Sequence, residues 1–160
     1  MKYQGINHVS LRVTNNERAR HFFLEVLGLE QHKRIPVWFI AGACTIHVIE
    51  IPDAPLEISP SPYDVVRHVA LQVDNLNELL SRLLTASLKP FQVDIQMRKK
   101  PLTDPNDDLS YGTGTIFVSD PDGNFFEFVQ IGRGLFAHEA DLFQQRESLQ
   151  RTDLTDPTAS

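Results

Sequence analysis

The chain is 160 residues long, carries a formal net charge of −6, and is 41% hydrophobic and 22% charged, as expected of a soluble globular domain or of two small modules sharing a core. Nucleic-acid binding is disfavoured, because the compact basic run is only Arg98-Lys99-Lys100 beside a proline, and no apolar run approaches the roughly 18 residues of a membrane span. A single cysteine, Cys44, excludes an intrachain disulfide framework and suits a reducing cytoplasm, which is the expected location; residues 1–5 lack the apolar core of a signal peptide.

From Ile6 to Val13 the chain alternates. Val9, Leu11 and Val13 point one way, and His8, Ser10 and Arg12 point the other. Thr14-Asn15-Asn16-Glu17 has the form of a capping box, with Thr14 as the cap and Glu17 reaching back. The helix is expected to run to about Leu27, with Ala19, Phe22, Phe23, Val26 and Leu27 on one stripe and Gly28 as the stop. Strands are expected at 30–34, 37–41 and 44–51. Pro52, Pro55, Pro60 and Pro62 make residues 52–62 an extended linker.

The order then repeats. Arg67-His68-Val69-Ala70-Leu71-Gln72-Val73 copies Asn7-His8-Val9-Ser10-Leu11-Arg12-Val13 at an offset of 60 residues. Asp74 is expected to cap a helix reaching about Ser87. A strand at 91–97, a long polar loop at 98–111 and a strand at 114–119 follow. The loop, flanked by Tyr111 and Gly112-Thr113-Gly114, reads equally as a lid or a plain connector. Asp120-Pro121-Asp122-Gly123-Asn124 is a strong turn signal before the last strand at 125–131. A further helix is expected from Leu135 to about Gln150, before a frayed polar end. The organisation is a single α+β domain: module 1 over 5–51, linker 52–62, module 2 over 63–131, and a C-terminal helix and tail over 132–160.

Side-chain parity selects the chemistry. The Val/Leu/Val face of each first strand must meet its helix, which puts His8 and His68 on the opposite face. Aligning the last strands of the modules pairs His47 with Glu127. His8, His47, His68 and Glu127 can therefore converge on one concave surface, and two or three imidazoles with a carboxylate form a divalent-metal site. Such donors suit Zn, Ni, Co, Mn or Fe(II). A mid-strand Glu127 among Phe125, Phe126 and Phe128 would otherwise be a costly unpaired charge. His47 is read as a ligand or as an acid–base group, so Glu127 and His47 are the candidate catalytic residues. Cys44 and Glu50 have the opposite parity to His47. Thr45, Ile49, Phe125, Val129 and Ile131 supply mostly apolar walls, and Ser10, Arg12 and Phe125 are the candidate substrate-binding residues. His21, His32 and His138 read as solvent or packing residues.

The segments Ile6-Asn7-His8-Val9-Ser10-Leu11, Phe22-Phe23-Leu24-Glu25-Val26-Leu27-Gly28-Leu29, Arg67-His68-Val69-Ala70 and Asp120-Pro121-Asp122-Gly123-Asn124-Phe125-Phe126-Glu127 resemble the vicinal oxygen chelate superfamily over about residues 5–131. That group includes glyoxalase I, extradiol dioxygenases and fosfomycin-resistance proteins. The resemblance implies paired βαβββ modules forming an incomplete barrel around one divalent metal, with His8, His68 and Glu127 as ligands. His47 stands where glyoxalase I carries a Glu or Gln ligand, a departure from that enzyme. The implied activity is a metal-dependent lyase or isomerase acting on a small oxygenated metabolite. A non-haem Fe(II) ring-cleaving dioxygenase and a fosfomycin- or bleomycin-resistance type of transferase or binding protein are the alternatives. A small-molecule substrate and a homodimer are the expected partners.

Overall fold

A computed structural model of the chain describes residue 1 and residues 5–53 and 64–138. The larger part of the linker and most of the predicted C-terminal helix lie outside the described residues. At the start of that helix, the chain makes a 3-10 turn over Gly134–Phe136.

Module 1 runs β1 (His8–Val13), α1 (Asn16–His21), β2 (Glu30–Gln31), β3 (Trp38–Ala41) and β4 (Cys44–Glu50). Module 2 runs β5 (His68–Gln72), α2 (Leu76–Thr85), β6 (Phe91–Val93), β7 (Lys99–Pro101), β8 (Ile116–Ser119) and β9 (Phe125–Val129). The fold is α+β with two mixed sheets, ordered β1-β4-β3-β2 and β5-β9-β8-β6-β7. In each module the first strand pairs parallel with the last, and the sheets do not close into a barrel among the described residues.

The apolar stripe on the first helix is buried as expected at Ala19, Phe22, Phe23, Val26 and Leu27. The α-helix itself stops at His21, and a wider π turn carries Phe22–Val26, with Leu27 N–H donating to the Phe22 carbonyl at 3.0 Å. Both helix caps fall one residue later than expected. Asn15 accepts from Arg18 N–H at 2.8 Å, and Asn75 accepts from Asn77 and Glu78 N–H at 3.1 Å each. The helix α2 ends in a Schellman turn: Leu88 N–H bonds the Leu83 carbonyl and Ser87 N–H bonds the Leu84 carbonyl.

One core holds the modules together. Phe22 and Phe23 of the first helical segment meet Phe126 of β9 at ring distances of 5.7 and 5.8 Å, and Phe23 stacks on Phe39 at 4.7 Å. Leu76, Leu80 and Leu83 of α2 belong to the same cluster. Removing one such phenylalanine should cost about 3–5 kcal/mol. The segment expected to be a polar loop departs from expectation in two ways. It contains the edge strand β7, paired antiparallel with β6, and Leu102 and Leu109 are buried in the main core. It is therefore anchored at both leucines. Gly112 is required here: its φ is +61°, and a Cβ would lie 1.9 Å from the Val93 carbonyl oxygen.

A polar joint adds to the shared core. The Asp122 carboxylate, in the β8–β9 turn, accepts from Thr14 N–H at 3.0 Å, Thr14 Oγ1 at 2.6 Å and Arg18 Nη2 at 2.6 Å. Asn124 Nδ2 donates to the Arg12 carbonyl at 2.9 Å. Burial pushes the Asp122 carboxyl up, but the Thr14 bonds and the Arg18 guanidinium outweigh it and hold the group below the usual carboxylate range.

Candidate metal centre

Side chains alternate between core and outer face strand by strand. Ile46 and Val48 enter the core, while His47 lies on the opposite face beside its register partners Ser10 and Trp38. In module 2, Phe126 and Phe128 enter the core, and Glu127 sits on the outer face beside Ala70 and Phe117. The duplication thus extends beyond the histidines. Trp38 opposite His47 corresponds to Phe117 opposite Glu127.

The pair in module 2 is tightly built. His68 Nε2 lies 3.0 Å from Glu127 Oε2. His68 Nδ1 lies 2.6 Å from the Val65 carbonyl, which can only accept, so Nδ1 carries the proton and Nε2 is directed at the carboxylate. Glu127 Oε1 accepts from the Thr115 hydroxyl at 2.8 Å, and Thr115 is in turn 2.7 Å from Thr113 Oγ1. Two lone-pair-bearing atoms at 3.0 Å need a positive charge between them or beside them: a second ring proton, or a cation held by both. Two donors about 2.1 Å from one metal and at right angles are themselves about 3.0 Å apart. The donor set and its outer supports fit a divalent cation.

The pair in module 1 is looser. His8 and His47 have ring centroids 6.2 Å apart, and the Trp38 indole lies 5.2 Å from His8 and 5.3 Å from His47. His8 Nδ1 is 2.9 Å from Asn7 Oδ1, so this ring too presents Nε2 outward. Ser10 is exposed and Arg12 half-buried on the same strand. Phe125 is the register partner of His68. Thr45 and Ile49 lie on the outer face of β4, and Val129 on that of β9.

Both pairs occupy faces turned away from the shared core. Within one chain they remain two pairs: among the described residues, no three His, Cys, Asp or Glu side chains come close enough to hold one metal. His32 serves a turn, its Nδ1 accepting from Arg34 and Ile35 N–H at 3.2 Å each. Sequence reasoning missed Val65, Thr115 and Trp38. Trp38 had a signal, because it is the aromatic residue paired with the ligand strand in each copy. Val65 acts through its backbone, and Thr115 lies 12 residues from Glu127; neither position follows from spacing.

Residues 5–128 match the Glyoxalase/Bleomycin resistance protein/Dioxygenase superfamily. The chain belongs to this superfamily. Several solved structures share the superfamily member's fold. Oxidase ChaP-H2 aligns with a TM-score of 0.57 at 20% identity, covering 81% of this chain and 94% of that one. A lactoylglutathione lyase from Agrobacterium tumefaciens aligns at 0.53 and 17%, covering 81% and 96%. TnmS3, an antibiotic binding protein from Streptomyces sp. CB03234, aligns at 0.52 and 18%, covering 81% and 98%. No curated protein matches the sequence significantly. The superfamily includes metal-dependent enzymes.

Proposed function

We propose that this superfamily member is a divalent-metal-dependent lyase or isomerase of the glyoxalase I type, acting on a small oxygenated metabolite. Its metal centre would form between two copies of the chain. The observation that carries the reading is the approach of His68 Nε2 to Glu127 Oε2 at 3.0 Å, with Val65 and Thr115 occupying the other polar atoms of both groups. Among the described residues, no third His, Cys, Asp or Glu side chain joins that pair. His8 and His47 stand on the matching face of module 1, so a second copy placing that face against β5 and β9 completes the ligand set. A homodimer of this kind has two equivalent sites.

A bound divalent metal supplies Lewis-acid polarisation of two adjacent substrate oxygens. Thr115 and the Val65 carbonyl keep Glu127 and His68 oriented for it. His47, half-buried against Trp38, is the ring placed to accept and return the substrate proton, or to fill a fourth ligand position. Arg12 orients an anionic end of the substrate, and Ser10 offers a hydroxyl beside His47. Metal binding here would require the unprotonated imidazole of His68 and the ionised carboxylate of Glu127.

The test mixes two variants. His8→Ala/His47→Ala and His68→Ala/Glu127→Ala should each lose tight metal binding alone. Co-expressed, they should regain one tight site per heterodimer, because the heterodimer brings an intact pair from each copy to one interface. No recovery in a dimer confirmed by light scattering overturns the shared site. Oxygen consumption during turnover would replace the lyase reading with a dioxygenase. Ligand binding without metal affinity would replace it with a binding protein.

A further inference from the structure

The Gly112-Thr113-Gly114 segment is a junction of backbones. Gly112 and Gly114 both have positive φ, +61° and +72°. On one side Thr113 N–H donates to the Val93 carbonyl at 3.0 Å, and Gly112 closes on the same carbonyl. On the other side the C-terminal turn closes down. Leu135 N–H donates to the Thr113 carbonyl at 2.8 Å. A Cβ on Gly114 would lie 2.7 Å from the Gly134 Cα, and a Cβ on Gly134 would lie 2.2 Å from the Thr113 carbonyl oxygen. Gly134 also has positive φ, +55°. Left-handed glycines at this crossing leave room for backbone and nothing more. Arg133 Nη1 donates to Asn77 Oδ1 at 3.0 Å and ties the turn to α2.

The side chain held by this junction is Thr113. Its Oγ1 lies 2.7 Å from Thr115 Oγ1. A hydroxyl has one proton to give, and Thr115 gives its own to Glu127 Oε1 at 2.8 Å, so Thr113 is the donor to Thr115. The Val93 carbonyl is the poorer acceptor, 3.4 Å from Thr113 Oγ1 and already taking the Thr113 N–H. The chain of donors therefore runs one way, from Thr113 through Thr115 to Glu127. Donation from Thr113 directs the Thr115 proton at the carboxylate and polarises that bond.

We propose that Thr113 is a positioning residue for Glu127, acting through Thr115, and that the turn at Gly134 is the clamp that sets it. Its value to a metal rests on the reading of Glu127 as a ligand given above; the hold on the Glu127 side chain does not.

The test uses the full chain with carbon-13 in the glutamate carboxyl groups, the Glu127 signal being assigned by its loss in Glu127→Gln. The signal is read in chelator, and zinc affinity is read separately by chelator competition. Thr113→Val keeps the shape and removes the donor. It should move the Glu127 signal and lower zinc affinity by roughly threefold or more. Thr113→Ser keeps the hydroxyl and should leave both readings near those of the parent. Two glycine variants test the clamp. Gly132 shares the left-handed backbone, with φ +81°, but a Cβ there meets nothing within 4 Å. Gly134→Ala should therefore move the Glu127 signal and Gly132→Ala should not. A signal that follows Thr113→Val but not Thr113→Ser supports the positioning role even in a chain that takes up no zinc, a result that sinks the metal reading alone. Normal zinc binding with a Glu127 signal unmoved by Thr113→Val overturns the proposal and leaves the metal reading standing. Equal changes in Thr113→Val and Thr113→Ser trace the effect to packing and overturn it too. Equal changes in the two glycine variants overturn the clamp.

Discussion

The two modules place a pair of candidate ligands at the same register position but build it differently. In module 1, His8 and His47 stand 6.2 Å apart beside an indole, and the exposed Asn7 side chain lies 2.9 Å from His8 Nδ1. In module 2, His68 and Glu127 touch, and each is tied to a buried partner. Module 2 also has the extra strand that puts a cation over the adjoining rings. The comparison teaches that duplication fixes where a side chain emerges, while the shell around it sets how firmly it is held. In the proposed site, module 2 would be the preorganised half and module 1 the adaptable one.

The largest expected effect separates the two halves directly. Glu127→Ala should lower metal affinity by more than the about ten- to hundredfold typical of an outer-shell partner, and by more than His47→Ala does. Glu127 is the only proposed ligand with a formal charge to set against the cation. Chelator competition on folded variants measures this. Equal losses would mean that the halves are equivalent as holders of metal.

The next effect concerns the turns that close the final hairpins. Module 1 turns tightly at Gly42, with φ +60°. Module 2 uses a longer turn in which Asp120 accepts from Asp122 N–H at 2.9 Å, Asn124 N–H at 2.8 Å and Asn124 Nδ2 at 2.7 Å. Burial still dominates and, despite the bonds from Asn124 and Asp122, raises the Asp120 carboxyl from 3.8 to about 6. A carboxyl raised on folding costs nothing below about pH 4, where it is protonated in both states. The cost grows as pH rises towards the folded value and is complete above it, at up to about 3 kcal/mol. Asp122 acts in the opposite sense: its lowered carboxyl stabilises the fold above the ordinary range, and that contribution is lost on acidification. Asp120→Asn should therefore gain stability relative to the parent as pH rises from about 4 to 6.5. Urea unfolding of the metal-free proteins at several pH values checks this, and parallel stability curves would contradict it.

Thr115→Val sharpens the contrast at a smaller scale. The substitution preserves shape and removes the hydroxyl that holds Glu127 Oε1. Metal affinity should fall about ten- to hundredfold, with little change in the far-ultraviolet spectrum. Unchanged affinity would show that Glu127 needs no such support and would weaken the description of module 2 as preorganised.

Much of this was legible in the sequence. Alternation in β1 and β5 separated the core valines and leucines from the histidines, and the helical stripe through Phe22 and Phe23 is buried as read. The long-range contacts were not legible. Thr14 looked like a cap because the capping box is a local pattern, yet its hydroxyl bonds Asp122, 108 residues away, and Asn15 caps instead. Lys99-Lys100-Pro101 reads as solvated loop by composition, and an edge strand tolerates that composition because one side of it makes no ladder. The four ligand candidates were found by parity. Their separation into two pairs depends on how the modules share a core, which periodicity does not encode.

Trp38 is the only tryptophan in the chain, and it lies beside the rings of both His8 and His47. Its module 2 counterpart is a phenylalanine, which contributes almost nothing when indole absorption is excited. The duplicated site therefore carries an optical label on one half alone. Emission from the native protein follows events at the His8–His47 face without any introduced dye. Paired with a carboxyl signal from Glu127 in the other half, it lets the two halves be watched separately in one unmodified sequence.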